Sequence, residues 1–185
     1  YLSNKKTNKK IYYHRGIDYW SKVLNFAPEI IYGNGERKPS DTYIEVNLKE
    51  DIPVNIILSV LNSNLFYWYW LVWSDCRMLN RREIAYFPFS IECLNERQYN
   101  GLNDLALELM VDLDKNSSRL SFSHPTKGIM EYSEFHPKLS REIINKIDDI
   151  LAEYYDFNSD EIDYILNYDI RFRMGDDEGE ESNEE

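Results

Sequence analysis

Between Val54 and Trp73 every residue is apolar or aromatic except Asn55, Ser59, Asn62, Ser63 and Asn64. A stretch of this kind has to leave water, and its five polar side chains make it too polar for a bilayer span, which needs about 20 predominantly apolar residues. It is therefore expected inside a globular core, with no membrane involved. Asp51-Ile52-Pro53 places a capping acid and a first-turn proline ahead of it, and Ile56, Ile57, Val60, Leu61 and Leu65 follow at helical spacing. That pattern predicts a helix starting near Pro53 and running into the aromatic cluster Phe66-Tyr67-Trp68-Tyr69-Trp70. The cluster either finishes this helix or opens a strand, because a short apolar run is not assigned by periodicity alone.

Upstream, Ile11 to Leu48 carries short β-type runs broken by turn signals, with Gly33-Asn34-Gly35 as a tight turn. In Tyr43 to Leu48 the residues Ile44, Val46 and Leu48 alternate with Tyr43, Glu45 and Asn47, the period-2 signature of a half-buried strand. Ser74 to Arg82 is polar and reads as a connecting loop. The segment after it, Glu83 to Ser90, closes on Phe87-Pro88-Phe89, where proline is excluded from an interior strand position. The second half is helical in character. Leu102, Leu105, Ala106, Leu109 and Leu113 make one stripe, Leu139, Ile143, Ile147, Ile150, Leu151 and Tyr154 another, and Asn158 to Glu161 resembles a capping box opening a third helix. The expected fold class is α+β: a mixed α/β N-terminal lobe with short strands and one long helix, followed by a helical C-terminal lobe. Residues 1–10 read as a flexible basic arm, 11–175 as one domain, and 176–185 as a disordered acidic tail.

Charge bears on the choice of partner. A net charge of -12 argues against a nucleic-acid binder, whose affinity comes largely from neutralising phosphates. The distribution is polarised, however: residues 1–40 hold eight Lys or Arg against three acids, while the last twelve residues hold seven acids and no base. Cys76 and Cys93 are too few for a disulfide framework and lack zinc-ligand spacing, so a reducing cytoplasm is the natural setting. His14, His124 and His136 lie far apart in sequence with no metal-ligand partners at ligating intervals, so no metal is expected. Asp18 with Glu36-Arg37-Lys38 mimics the acid, acid-x-Lys pattern of metal-dependent nucleases, but Glu36 follows a Gly-Asn-Gly turn instead of sitting in a strand that would fix a metal. There is no Gly-rich phosphate loop, no nucleophile elbow and no Asn-Pro-Pro-Tyr, so no catalytic residue is assigned.

What remains is a set of cations and amides beside aromatics: His14 and Arg15 after Tyr12-Tyr13, Arg37 and Lys38 past the turn, and Arg77, Asn80, Arg81 and Arg82 in the loop after the aromatic cluster. Arg offers paired donors to guanine and phosphate, and Asn pairs with adenine, so these types suit groove readout. The same residues also suit a solvated surface, and the acidic helices suit a protein–protein interaction module of a larger complex.

Leu61 to Trp70 (LNSNLFYWYW) and Ser74 to Phe89 (SDCRMLNRREIAYFPF) resemble, in that order, the target-recognition domain of bacterial TaqI-like adenine-specific DNA methyltransferases and fused type II restriction-modification enzymes. Ile11 to Trp20 (IYYHRGIDYW) is similar to the opening segment of these domains, and Lys138 to Gly175 to their closing helices and terminal Arg-x-Arg strand. The resemblance implies a specificity domain that reads double-stranded DNA and is non-catalytic by itself. It also implies an upstream methyltransferase domain in the same polypeptide and S-adenosylmethionine as that domain's cofactor. His14, Arg15, Arg37, Lys38, Arg77, Asn80, Arg81 and Arg82 are then the expected DNA contacts.

Overall fold

A computed structural model describes residues 1–175, and the expected disordered tail at 176–185 lies outside the described residues. The α+β class holds. The chain runs β1 (Lys10–His14), β2 (Val23–Leu24), β3 (Glu29–Tyr32), β4 (Arg37–Pro39), β5 (Tyr43–Asn47), α1 (Val54–Leu61), α2 (Asn64–Trp73), α3 (Arg81–Tyr86), α4 (Glu96–Lys115), β6 (Ser118–His124), β7 (Gly128–Glu134), α5 (Arg141–Tyr155), α6 (Ser159–Asn167) and α7 (Ile170–Met174). Two antiparallel sheets form, one in the order β2-β1-β5 and the other in the order β4-β3-β7-β6.

In β1 the alternation works as the period demands: Ile11 and Tyr13 are buried, while Tyr12 and His14 stay half-exposed on the other face. Ile11 pairs with Val46, the buried position of β5. The first ten residues, expected as a flexible arm, lie along this sheet instead. Leu2 bridges Leu48, the Ser3 N–H donates to the Asn47 carbonyl at 2.8 Å, and the Lys9 ammonium donates to the Ile52 carbonyl at 2.9 Å. Backbone pairing ties the segment down, and lysine-rich composition says nothing about backbone pairing. Lys5 and Lys6 still face solvent.

The expected single helix from Pro53 is broken at Asn62-Ser63. The Asn62 side chain is used elsewhere: its Oδ1 accepts the Val23 N–H at 3.0 Å and its Nδ2 donates to the Val23 carbonyl at 2.8 Å, extending the β2-β1-β5 sheet by one amide. Ser63 then caps α2 by accepting the Phe66 N–H at 3.0 Å, a contact worth about 1 kcal/mol. Phe66, Tyr67 and Trp70 are buried, so the aromatic run is mostly core.

Three further expectations change. The last two residues of the expected loop, Arg81 and Arg82, open the short helix α3, whose start is fixed by the Glu83 carboxylate accepting the Asn80 N–H at 2.9 Å. The helical second half also contains the β6–β7 hairpin, which joins β3 through Ile31↔Glu131 and Tyr32↔Met130. The two halves of the chain are therefore stitched into one sheet. Finally, the terminal Arg-x-Arg segment is helix α7 and not a strand. The α4 stripe (Leu102, Ala106, Leu109, Leu113) and the α5 stripe (Ile143, Ile147, Leu151) are buried as expected, whereas Leu139 is exposed. The capping box of α6 is present, with Asn158 Oδ1 accepting the Asp160 and Glu161 N–H groups.

A polar knot sits inside these helices. Asp148 of α5, fully buried, accepts the Asn64 N–H at 2.9 Å, the Asn64 side-chain amide at 2.7 Å and the Leu65 N–H at 2.9 Å. It thereby satisfies donors of α2's first turn that the helix itself leaves open. Asn64 in turn accepts from the guanidinium of Arg173 on α7. That group lies over Trp20, 4.0 Å from its ring centroid, and over Tyr67 at 4.6 Å, and its Nε donates to the Tyr19 carbonyl at 3.1 Å. Tyr19 is held at φ 64°, a left-handed conformation that costs a non-glycine residue about 1 kcal/mol or more.

Removing the Asp148 acceptor leaves the buried N–H donors of Asn64 and Leu65 without their partner. Asp148→Ala is expected to cost about 3–5 kcal/mol in urea denaturation, with Asp148→Asn costing less because one acceptor oxygen remains. Burial pushes the Asp148 carboxyl up to about 7, against the pull of its N–H donors and of Arg173. Between the unfolded carboxylate range near about 4 and that value the folded state holds the proton more tightly. Stability should therefore fall as pH rises from about 4 to about 7 and level off above, and Asp148→Asn should lose this slope. A wild-type profile without this fall would show that the carboxylate is ionised throughout the interval.

Candidate nucleic-acid interface

The end of β1 organises the candidate residues. His14, paired in register with Tyr43 of β5, sits edge-on to the Tyr43 ring at 5.0 Å. Its Nδ1 lies 2.7 Å from the Gly16 carbonyl oxygen, which can only accept, so Nδ1 carries a proton and Nε2 is the atom left to act. Arg15 is bonded through its backbone on both sides. Its N–H donates to the Thr42 carbonyl at 3.1 Å, and its own carbonyl accepts the Leu79 N–H at 2.8 Å. Leu79 is buried, so the loop that carries Arg77 is anchored against β1 at its far end.

On the other side of His14 the two sheets enclose a cleft of about 740 Å³, lined among others by His14, Lys22, Tyr32, Lys38, His124 and Lys127. Lys38 and Lys127, from different hairpins, both reach over the Tyr32 ring, at 5.4 and 6.0 Å from its centroid. Lys38 also pairs with Glu36 at 2.9 Å, and the pairing raises the lysine and lowers the carboxyl, as a hydrogen-bonded ion pair must. Burial pushes the Tyr43 hydroxyl up, which keeps it a neutral donor at the floor of the cleft.

The eight expected contacts are not brought to one surface. His14 and Lys38 line the cleft. Arg37 points to the opposite face of its strand, where it pairs with Glu29 at 3.6 Å. Arg77 is exposed on the anchored loop, whereas Asn80 stands at the start of α3 with its amide donating to the Met78 carbonyl. Arg81 is spent on the N-terminal segment, its guanidinium donating to Asn4 Oδ1 at 3.2 Å and to the Ser3 carbonyl at 2.9 Å, and Arg82 pairs with Glu83 at 2.8 Å. Among the described residues, Arg15 and Arg77 make no ion pair.

Sequence reasoning missed the second wall of the cleft, which comes from β6 and β7. A signal was there: Leu120 and Phe122 alternate with Ser121 and Ser123, then Pro125 to Gly128 supplies a turn, then Met130 and Tyr132 alternate again. Asp18 and Glu36, the two acids of the nuclease-like pattern, are paired with Lys22 and Lys38, and among the described residues no group of three or more His, Cys, Asp or Glu gathers. No described helix is long and apolar enough to cross a membrane. No family model matches the chain, and neither a curated protein nor a solved structure matches it.

Because Arg81 clamps residues 3 and 4, Arg81→Ala should raise the rate of tryptic cleavage after Lys5 and Lys6 several-fold while moving Tm by no more than about 2 °C. Unchanged cleavage would show that the pairing of the segment with residues 47–52 holds it without Arg81.

Proposed function

We propose that this chain is the target-recognition domain of an adenine-specific DNA methyltransferase or of a fused restriction-modification enzyme, reading double-stranded DNA in a cytoplasmic setting. In that reading methyl transfer and its S-adenosylmethionine belong to a methyltransferase domain in the same polypeptide, and the residues described above bind and position DNA. The observation that carries the reading is the mounting of Arg15 and Arg77. Among the described residues both guanidinium groups are free of ion pairs, and the Arg15 carbonyl accepts the N–H of buried Leu79, which fixes the two backbones against each other. Base and phosphate recognition needs donors placed this way, unspent and held by rigid elements. His14, adjacent to Arg15 in the chain, and Lys38 line the cleft.

A second reading has its own observation. Trp73 is 69% exposed and Tyr86 75% exposed, next to the Tyr69–Phe87 ring pair, and large aromatics left in water favour a protein partner. Such a face is also where a domain of the same polypeptide would dock, so the two readings are compatible at different surfaces.

Salt separates them. Binding of the 185-residue chain to a duplex should weaken with rising salt by a log–log slope of roughly 0.9 per phosphate contact, and Arg15→Ala with Arg77→Ala together should lower that slope by about two. An affinity indifferent to salt, or indifferent to both substitutions, would discard the DNA reading and leave the aromatic face as the functional surface.

A further inference from the structure

The four-stranded sheet has two chemically distinct faces. Register pairs Tyr32 with Met130, Met130 with Phe122, Tyr132 with Leu120, and Ile30 with Lys38, so these side chains share the face turned into the cleft. The opposite face carries Arg37, Glu29, Arg119 and Glu131, joined in ion pairs at 3.6 Å, with Ser121 alongside. The polar face is thus neutralised within itself, and the aromatic rings lie on the side where the second sheet leaves room. Phe122 remains 43% exposed there, edge-on to Tyr132 at 5.8 Å, and Lys38 and Lys127 stand at Tyr32, on the far side of Met130 from Phe122.

An apolar ring left in water inside a cleft, with two ammonium groups across one intervening strand, suits a planar ring joined to an anion. Size narrows the choice. A volume of about 740 Å³ falls within the small-ligand range of about 300–1,000 Å³, too small to admit a duplex. Of the four carboxylates that line the cleft, Asp18 is held by Lys22 and Glu29 by Arg37, while among the described residues Asp41 and Glu134 pair with no Lys or Arg, so the phosphate has to sit toward Lys38 and Lys127 and away from those two.

We propose that the cleft face of the β4-β3-β7-β6 sheet is a stacking platform for a single unpaired nucleobase of DNA, with Phe122 against the base and Lys38 and Lys127 on its phosphate. The proposal rests on the DNA reading above and adds to it a substrate feature, an unpaired nucleotide beside the duplex. Stacking on an aromatic side chain tolerates any base, because each has a π-face, so the platform contributes affinity for the unpaired state and not sequence preference. When the nucleotide enters, Lys127 exchanges its cation–π contact with Tyr32 for a charge-assisted bond to the phosphate, and Lys38 shares its ammonium between the phosphate and its ion-pair partner Glu36.

The test uses the full 185-residue chain and two fluorescein-labelled duplexes of one sequence, one fully paired and one with a single-nucleotide bulge, read by anisotropy at low salt. The bulged duplex is expected to bind on the order of tenfold more tightly. Phe122→Leu, which keeps apolar bulk and removes the ring, should erase that difference while leaving the paired duplex unchanged. Lys127→Ala should weaken the bulged duplex selectively. Equal affinity for the two duplexes, or a preference that survives Phe122→Leu, overturns the platform while salt-dependent duplex binding keeps the DNA reading. Failure to bind either duplex overturns both.

Discussion

The Asp148 carboxylate sits where the start of α2, the middle of α5 and, through Asn64, the guanidinium on α7 converge. Burying an unpaired charge costs several kcal/mol, so neither Asp148 nor Arg173 could be there alone. Each is met by groups from segments distant in sequence: Asp148 by the backbone of α2, and Arg173 by Asn64, the Tyr19 carbonyl and the faces of Trp20 and Tyr67, with its Nη1 alone left unpartnered among the described residues. Burial still dominates both, pulling Arg173 down to about 10 while it pushes Asp148 up. Because Arg173 holds Tyr19, the knot also fixes the turn that presents Asp18 and Lys22 to the cleft. The interior and the interface are thus mechanically continuous.

Much of this was legible in the sequence and some was not, for definite reasons. The strand at Tyr43–Asn47, the α4 and α5 stripes and the Asn158 capping box follow from local periodicity and local capping chemistry, which a sequence displays directly. The break between α1 and α2 does not, because it depends on Asn62 finding the Val23 backbone 39 residues away. The same holds for residues 1–10, whose partners lie on β5 and whose lysines disguise them as a solvated arm. The β6–β7 hairpin was visible as alternation around a turn but was overshadowed by the stronger helical stripes on either side.

The candidate site was half legible. Residue type identified the cations, but which of them is free is decided by neighbours: Arg81 is consumed by Ser3 and Asn4, Arg82 by Glu83, and Arg37 by Glu29 on the wrong face of its strand. Arg15 and Arg77 differ from these only in what surrounds them. The aromatic block around Trp70, conspicuous in the sequence, turned out to be core, whereas Tyr32, Phe122 and Tyr132, scattered over a hundred residues, share one face.

The joining of β3 to β7 carries a consequence for how the molecule comes into being. Ile31 and Glu131 are partners across one hundred residues of chain, so the loop-closure entropy of that contact is among the largest in the fold. The β2-β1-β5 sheet and the α1–α2 pair can assemble from residues emerging early in synthesis, but β3 waits with one edge open until the hairpin beyond α4 arrives. Exposed strand edges invite the wrong neighbour. The cleft is therefore bounded by a seam that closes late, and in a growing chain the surface proposed for DNA exists only once Glu134 has been made.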